Sequence, residues 1–191
     1  MQVLRAAAHK RMPWKNGGGE TIEIAVFPEN SALGDFDWRV SMATVATDGP
    51  FSIFDGIDRT LSILSGDGMS LAIDGAEPVL LTKASAPLAF PADIPVTATL
   101  TGGTITDLNV MTRRGRFQHS VERLAVDGVL VETVKAGTVL LFLRDGAITC
   151  TYDSAQIALD HDDALLLQLG SPSALKLQGS GTVYMVHVRA L

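Results

Sequence analysis

A two-residue alternation of apolar and other side chains, repeated in short segments along the whole chain, constrains this fold more than any other feature. In "TIEIAVF" (21–27), Ile22, Ile24 and Val26 share one face. In "DWRVSMATV" (37–45), Trp38, Val40 and Met42 lie on one face and Arg39, Ser41 and Ala43 on the other. "MSLAID" (69–74) groups Met69, Leu71 and Ile73, and "TVLLFL", "AITCTY", "ALLLQL" and "TVYMVHV" follow. These segments are rich in β-branched and aliphatic residues and bounded by Gly, Asp, Asn or Pro, the signature of strands. No segment keeps a helical period beyond about two turns. "HSVERLAV" (119–126) is the best candidate for a short helix, and it reads as a strand as well. Many short strands separated by turn residues predict a β-sandwich or barrel.

The pattern also repeats. "LSILSGDGMSLAID" (61–74) followed by "VLLTKASAPLAF" (79–90) resembles "LLFLRDGAITCTYD" (140–153) followed by "IALDHDDALLLQ" (157–168). Each unit reads as a strand, a Gly-containing hairpin, a strand, a short return strand, and a polar turn into a hydrophobic strand. Glycine suits such turns because it tolerates positive φ. A duplicated β fold of two similar halves follows, with its seam near "MTRRGRFQHS" (111–120). The expected division is 1–112, carrying a Gly-rich arm, and 113–191, the two packed as one compact unit. A length of 191 residues and 47% hydrophobic composition allow one or two domains with a real core.

Fifteen basic residues against 21 acidic ones leave a net charge of −6. That balance argues against a nucleic-acid partner, which calls for a basic surface. The one basic cluster, Arg113-Arg114-Gly115-Arg116, reads better as a solvated turn than as a phosphate track. Cys150 is the single cysteine, so no internal disulfide forms. The N-terminus lacks the apolar stretch of a signal peptide, and no run approaches the ~18 apolar residues of a membrane span. The expectation is a soluble cytoplasmic protein without a membrane partner.

Catalytic and metal chemistry find little support. The histidines are His9, His119, His161 and His187, and no two are separated by a single residue. A metal site needs three or four converging ligands, so no metal and no cofactor are expected. "HDD" at 161–163 reads as a solvated turn. Cys150 alternates inside "AITCTYD" with no histidine close in sequence, which suits a buried thiol. No Gly-x-Ser-x-Gly elbow occurs. Asp35/Asp37 and Asp55/Asp58 sit in loops beside Gly, as turn chemistry requires.

"MPWKNGGGETIEI" (12–24) carries three consecutive glycines. It is not a phosphate-binding P-loop, because the Gly-Lys-Ser/Thr ending is missing and a strand follows. Two readings stay open. Gly17, Gly18 and Gly19 could turn backbone N–H groups toward a small carboxylate, with Asn16, Thr21 and Trp14 around them. Alternatively, they let the arm cross close to a sheet. Further candidates are Arg59, Ser41, Asp107, Asn109 and Arg113. Arg59 shares its face with Leu61 and Ile63, and a charge on an apolar face needs a partner. That partner is either a ligand carboxylate held bidentately or Asp107. "DLNVM" turns Asp107 and Asn109 to one side, which suits a lumen or a polar surface.

Three ordered stretches, "PWKNGGGET", "FDWRVSMATVATDGPFSIFDGIDRTLSILSGDGMSL" and "DLNVMTRRGR", resemble the HutD/Ves family. The resemblance runs from about Met12 to Arg116, and the second half matches more loosely. It implies an all-β, cupin-like (RmlC-like) β-sandwich or barrel duplicated into two similar halves, a bicupin. It also implies an accessory or regulatory role in bacterial histidine utilisation through small-molecule binding, and no particular reaction. The expected ligand is a small anionic metabolite of the urocanate or formylglutamate class. The alternative is a metal-independent cupin-type isomerase or hydrolase, and a third is a protein whose exposed strands dock another chain. Oligomeric state stays open, a homodimer included.

Overall fold

The computed structural model of the chain describes residues 1–14 and 17–191. It divides into two compact units, Lys10–Gln118 and Met1–His9 with His119–Leu191. Among the described residues there is no α-helix, only one 3-10 turn at Ala6–Ala8. The strands are β1 (Gln2–Leu4), β2 (Lys10–Pro13), β3 (Gly19–Phe27), β4 (Trp38–Val45), β5 (Gly49–Pro50), β6 (Ile57–Ser65), β7 (Met69–Ile73) and β8 (Val79–Leu81). They continue with β9 (Leu88–Pro91), β10 (Val96–Leu100), β11 (Ile105–Arg113), β12 (Phe117–Val134), β13 (Gly137–Tyr152), β14 (Ala155–Leu159), β15 (Ala164–Leu169) and β16 (Ser173–Ala190). The segment 119–126 is therefore strand, not helix. It lies inside β12, where half-buried and exposed side chains largely alternate.

In the unit Lys10–Gln118, a sheet ordered β2-β3-β4-β11-β6-β9 accompanies one ordered β5-β10-β7-β8. Side chains from both form one core: Val45, Leu61, Ile63, Phe90 and Ile105 from the larger sheet meet Met69, Leu71, Leu81, Val96 and Ala98 from the smaller. The interior is graded along its strands. β4 turns Arg39 and Ser41 to one end and Ala43 and Val45 to the other. β6 likewise carries Arg59 and then Leu61 and Ile63, and β11 carries Asn109 and Asp107 and then Ile105. Trp38, Val40 and Met42, on the opposite face of β4, are buried too.

The second unit pairs its strands β1-β15-β13-β16-β12, with β14 also on β13. Its interior is apolar, built from Val139, Leu141, Leu143, Cys150, Leu165, Leu177 and Val183 among others. The buried Asp163 accepts hydrogen bonds from Arg5 and the Ala6 amide.

Two organisational expectations need correction. The expected Gly-containing hairpins are bends instead. β6 pairs with β11 and β9 while β7 pairs with β10 and β8. In the second unit the equivalent stretch runs on as the single strand β13, with a bulge between Leu143 and Asp145. The order of partners is nevertheless the same in both halves. Leu61 pairs with Leu88 and Leu71 with Val79, as Leu140 pairs with Leu166 and Cys150 with Ile157. The division falls after Gln118, not after Thr112, because the turn beyond β11 stays tied to its own unit. Arg113 N–H donates to Asp37, Arg114 N–H to Gly56, and the Arg116 guanidinium reaches Asp37. Residues 1–9 join the other unit through β1, which pairs with β15.

Candidate anion-binding site

The polar end of the first unit opens into a cavity of about 660 Å³. Strand register builds its floor row by row. Met111 pairs with Arg39 on β4 and with Arg59 on β6, so the two arginines flank β11 at one level. With strands ~4.8 Å apart, their backbones stand roughly 10 Å apart. In the next row Asn109 lies between Ser41 and Leu61, and then Asp107 between Ala43 and Ile63. Arg39, Ser41, Ala43, Arg59, Asp107, Asn109 and Met111 all line the cavity.

Both guanidinium groups are buried, at 4% and 5% exposure. Arg39 Nε donates to Glu23 Oε2 at 2.7 Å, while its Nη2 has no partner among the described residues. Arg59 Nη2 donates to the Ser52 carbonyl at 3.3 Å, and its Nε has no partner among the described residues. The Arg59 guanidinium lies 5.2 Å from the Phe51 ring centroid, 5.4 Å from Phe54 and 5.8 Å from Phe90. Such aromatic faces stabilise a cation without consuming its N–H donors. Burial lowers the Arg59 pKa to about 10. The charge of Asp107 opposes that shift and Arg39 adds to it. At neutral pH Arg59 remains charged, and each guanidinium keeps a nitrogen without a partner among the described residues.

Asp107 is 1% exposed. Burial raises its pKa to about 7, against the pull of Arg59, the Asn109 amide and the Ala43 backbone. Asn109 Nδ2 donates to Asp107 Oδ1. Arg59 and Asp107 form no ion pair among the described residues, so Asp107 is not the internal partner considered for Arg59.

Trp14, Leu33, Phe51 and Phe54 add apolar and aromatic lining. Trp14 Nε1 donates to Thr21 Oγ1 at 2.8 Å, which holds the indole against β3.

Of the residues singled out in the sequence, the fold thus brings Trp14, Thr21, Ser41, Arg59, Asp107 and Asn109 to one cavity. Asn16 lies outside the described residues. Gly17, Gly18 and Gly19 do not line the cavity. Their backbone closes the β2–β3 turn: Gly17 N–H donates to Trp14 O, Trp14 N–H to Gly19 O, and Ala46 N–H to Gly18 O. Gly17 has φ +72°, and a Cβ on Gly19 would strike the Thr44 carbonyl oxygen and sit 3.0 Å from the Trp14 ring. Gly19 therefore serves the close crossing of the arm over β4. Arg113 is likewise elsewhere. It shares the parity of Asp107 and Asn109 but sits at the end of β11, where it donates to Gly34 O and Phe36 O.

The rest of the basic cluster is neutralised locally, Arg114 by Asp58 and Asp93 and Arg116 by Asp37. Sequence reasoning missed Arg39, Phe51 and Phe54. Arg39 could have been found, since it alternates with Ser41. The two phenylalanines lie in a loop, where no periodicity applies.

No group of three or more His, Cys, Asp or Glu among the described residues could hold a metal ion. Cys150 is fully buried and its thiol is pushed up to about 11, which leaves it a poor nucleophile. Among the described residues, no helix is long and apolar enough to cross a membrane.

An all-β fold of two units, one with an apolar interior and one with two buried arginines lining an open cavity, defines a cupin-like architecture. The HutD family model matches residues 6–185, and the chain belongs to that family. A Pseudomonas putida protein of 21.2 kDa from the hutC 3′ region is 33% identical over 99% of this chain and 93% of its own length. Among solved structures, PA5104 from Pseudomonas aeruginosa PAO1 is 34% identical with a TM-score of 0.91, covering 99% of this chain and 97% of that one. HutD from Pseudomonas fluorescens SBW25, solved in a formate condition, is 31% identical with a TM-score of 0.84, covering 100% and 98%. A cupin 2 barrel protein from Leptotrichia buccalis shares the fold at 11% identity and a TM-score of 0.55, covering 95% and 96%.

Proposed function

We propose that this protein is a non-catalytic accessory of histidine utilisation that binds a small carboxylate metabolite of the urocanate or formylglutamate class. The observation that carries this reading is the pair Arg39 and Arg59, buried and lining one cavity, each with a guanidinium nitrogen unpartnered among the described residues. A buried donor without a partner costs about 1–3 kcal/mol, and a carboxylate supplies what both donors lack. The family's association with the hut region supports the ligand class. The test is calorimetry with urocanate, formylglutamate and formate, alongside a thermal-shift series, since a ligand of the folded state alone raises stability by mass action. Saturable one-to-one binding that is lost in Arg59→Ala supports the reading. Absence of binding by all three sinks it.

A second reading rests on Asp107. A carboxyl that titrates near neutrality on a cavity wall is suited to general acid–base work, as a metal-independent isomerase or hydrolase would need. Change in the ultraviolet spectrum of urocanate, or loss of formylglutamate on incubation, would favour this enzyme over a binding protein.

A further inference from the structure

We propose that the cavity takes up one carboxylate together with one proton, the carboxylate docking on Arg59 and Arg39 and the proton residing on Asp107. This rests on the anion-binding reading and adds its regulation. The argument begins with charge placement. The charged groups around Asp107 are Arg59 on β6, Arg39 on β4 with Glu23 of β3 bound to it, and Asp48 at the rim. Asp48 accepts the Leu100 amide and is occupied there. Among the described residues no histidine lines the cavity.

Glu23 offsets Arg39, so the charge that matters is Arg59 against Asp107. With Asp107 ionised the pair is neutral, and an entering anion would meet a second negative charge in a buried space. With Asp107 protonated the pair is cationic, and one carboxylate restores neutrality. Two like charges sharing a buried site cannot both persist, and the raised pKa of one is the usual outcome.

Geometry makes Asp107 the group that yields. It is essentially fully buried, it lacks a direct ion pair with Arg59, and Asn109 Nδ2 supplies a single side-chain donor. Its carboxyl already titrates near neutrality in the free protein, and a docked anion pushes it higher. Asn109 and Ser41, which lie between the arginine row and Asp107, carry polar groups that tolerate either protonation state. The ligand class follows. The arginines take one carboxylate, and the rest of the molecule lies against the apolar lining of Trp14, Leu33 and Phe51.

Formate titrated by calorimetry at pH 5.5 to 8.5 tests this, in the cationic buffers Bis-Tris and Tris, which differ in ionisation heat. Formate stays ionised throughout. Proton uptake on binding means that affinity falls as pH rises. The expected affinity is flat below about pH 6 and falls toward tenfold per pH unit above about pH 7, with close to one proton taken up per formate at pH 8. Asp107→Asn should remove the uptake and flatten the profile. Infrared difference spectra of the wild type should show a protonated carboxyl appearing on formate binding at pH 8, which keeps the test independent of whether that variant folds. Formate binding that is lost in Arg59→Ala but shows no pH dependence and no uptake overturns this inference and leaves the binding reading standing. Uptake that persists in Asp107→Asn also overturns it. No formate binding at any pH, in a protein that also ignores urocanate and formylglutamate, ends both.

Discussion

Arg59 and Asp107 line the same cavity from the adjacent strands β6 and β11 and form no ion pair among the described residues. Each feels the other's charge, which raises the pKa of Arg59 and lowers that of Asp107 against the larger effect of burial. A closed pair would have been a structural element. An open pair, with an unpartnered N–H on the cation, leaves room for a third charged group between or beside them.

Replacing Arg59 by Ala should weaken formate binding by roughly 10- to 100-fold, the worth of a charge-assisted hydrogen bond. Lys15→Ala, in the arm outside the described residues, should have a smaller effect. Calorimetry on both variants decides this. Normal binding by an Arg59→Ala protein that merely melts earlier would return Arg59 to a structural role.

Arg39→Ala should cost stability as well as binding. Glu23, only 14% exposed at its side chain, loses the guanidinium that now binds it at 2.7 Å. A buried charge left without its partner costs about 3 kcal/mol. Urea unfolding should show a lower midpoint at an unchanged slope. An unchanged midpoint would mean that Glu23 finds another donor.

The glycine arm should behave as a packing device. Gly19→Val places a branched side chain against the Thr44 carbonyl and the Trp14 ring. The expected loss is about 3 kcal/mol of stability, with formate affinity kept in the protein that still folds. Circular dichroism with a binding titration separates this from the carboxylate-cradle reading. Under that reading, Gly18→Val would abolish binding and keep the fold.

Stability should depend on pH through Asp107. Its folded pKa, about 7, lies above the ordinary aspartate value. The proton is therefore held more tightly in the folded protein, and the associated stability is present in full below about pH 4. It falls by up to about 1.4 kcal/mol per pH unit until the folded pKa is passed. Asp107→Asn should flatten that part of the curve, and wild type and variant should diverge between pH 4 and 7. Parallel curves would show that the carboxyl ionises at its ordinary value.

Metal should play no part. Protein purified without chelator should carry zinc, iron, nickel and manganese well below one per chain by elemental analysis, and chelation should leave the melting temperature unchanged. A tightly held ion at one per chain would contradict this.

The all-β class was legible because alternation is local. A strand's two faces are set by neighbouring residues, so "DWRVSMATV" declares its polar and apolar sides without reference to any other segment. The order of strand partners was legible in part, because Leu61 to Asp74 and Leu140 to Asp153 carry the same pattern. Whether each pattern turns back as a hairpin or bends onward was not. That depends on which third strand is available to pair, β11 for β6 and β16 for β13. The same limit governs the site. Arg39, Arg59 and Met111 become one row only when β4, β11 and β6 settle into register, and that register is decided by the burial of Val45, Leu61, Ile63 and Ile105 at the far end. Alternation could say that Arg59 needed a partner. Only the packed sheet could leave Asp107 near enough to be felt and too far to bind, because the register between β6 and β11, which sets Arg59 beside Met111 and Asp107 beside Ile63, decides how the charges meet.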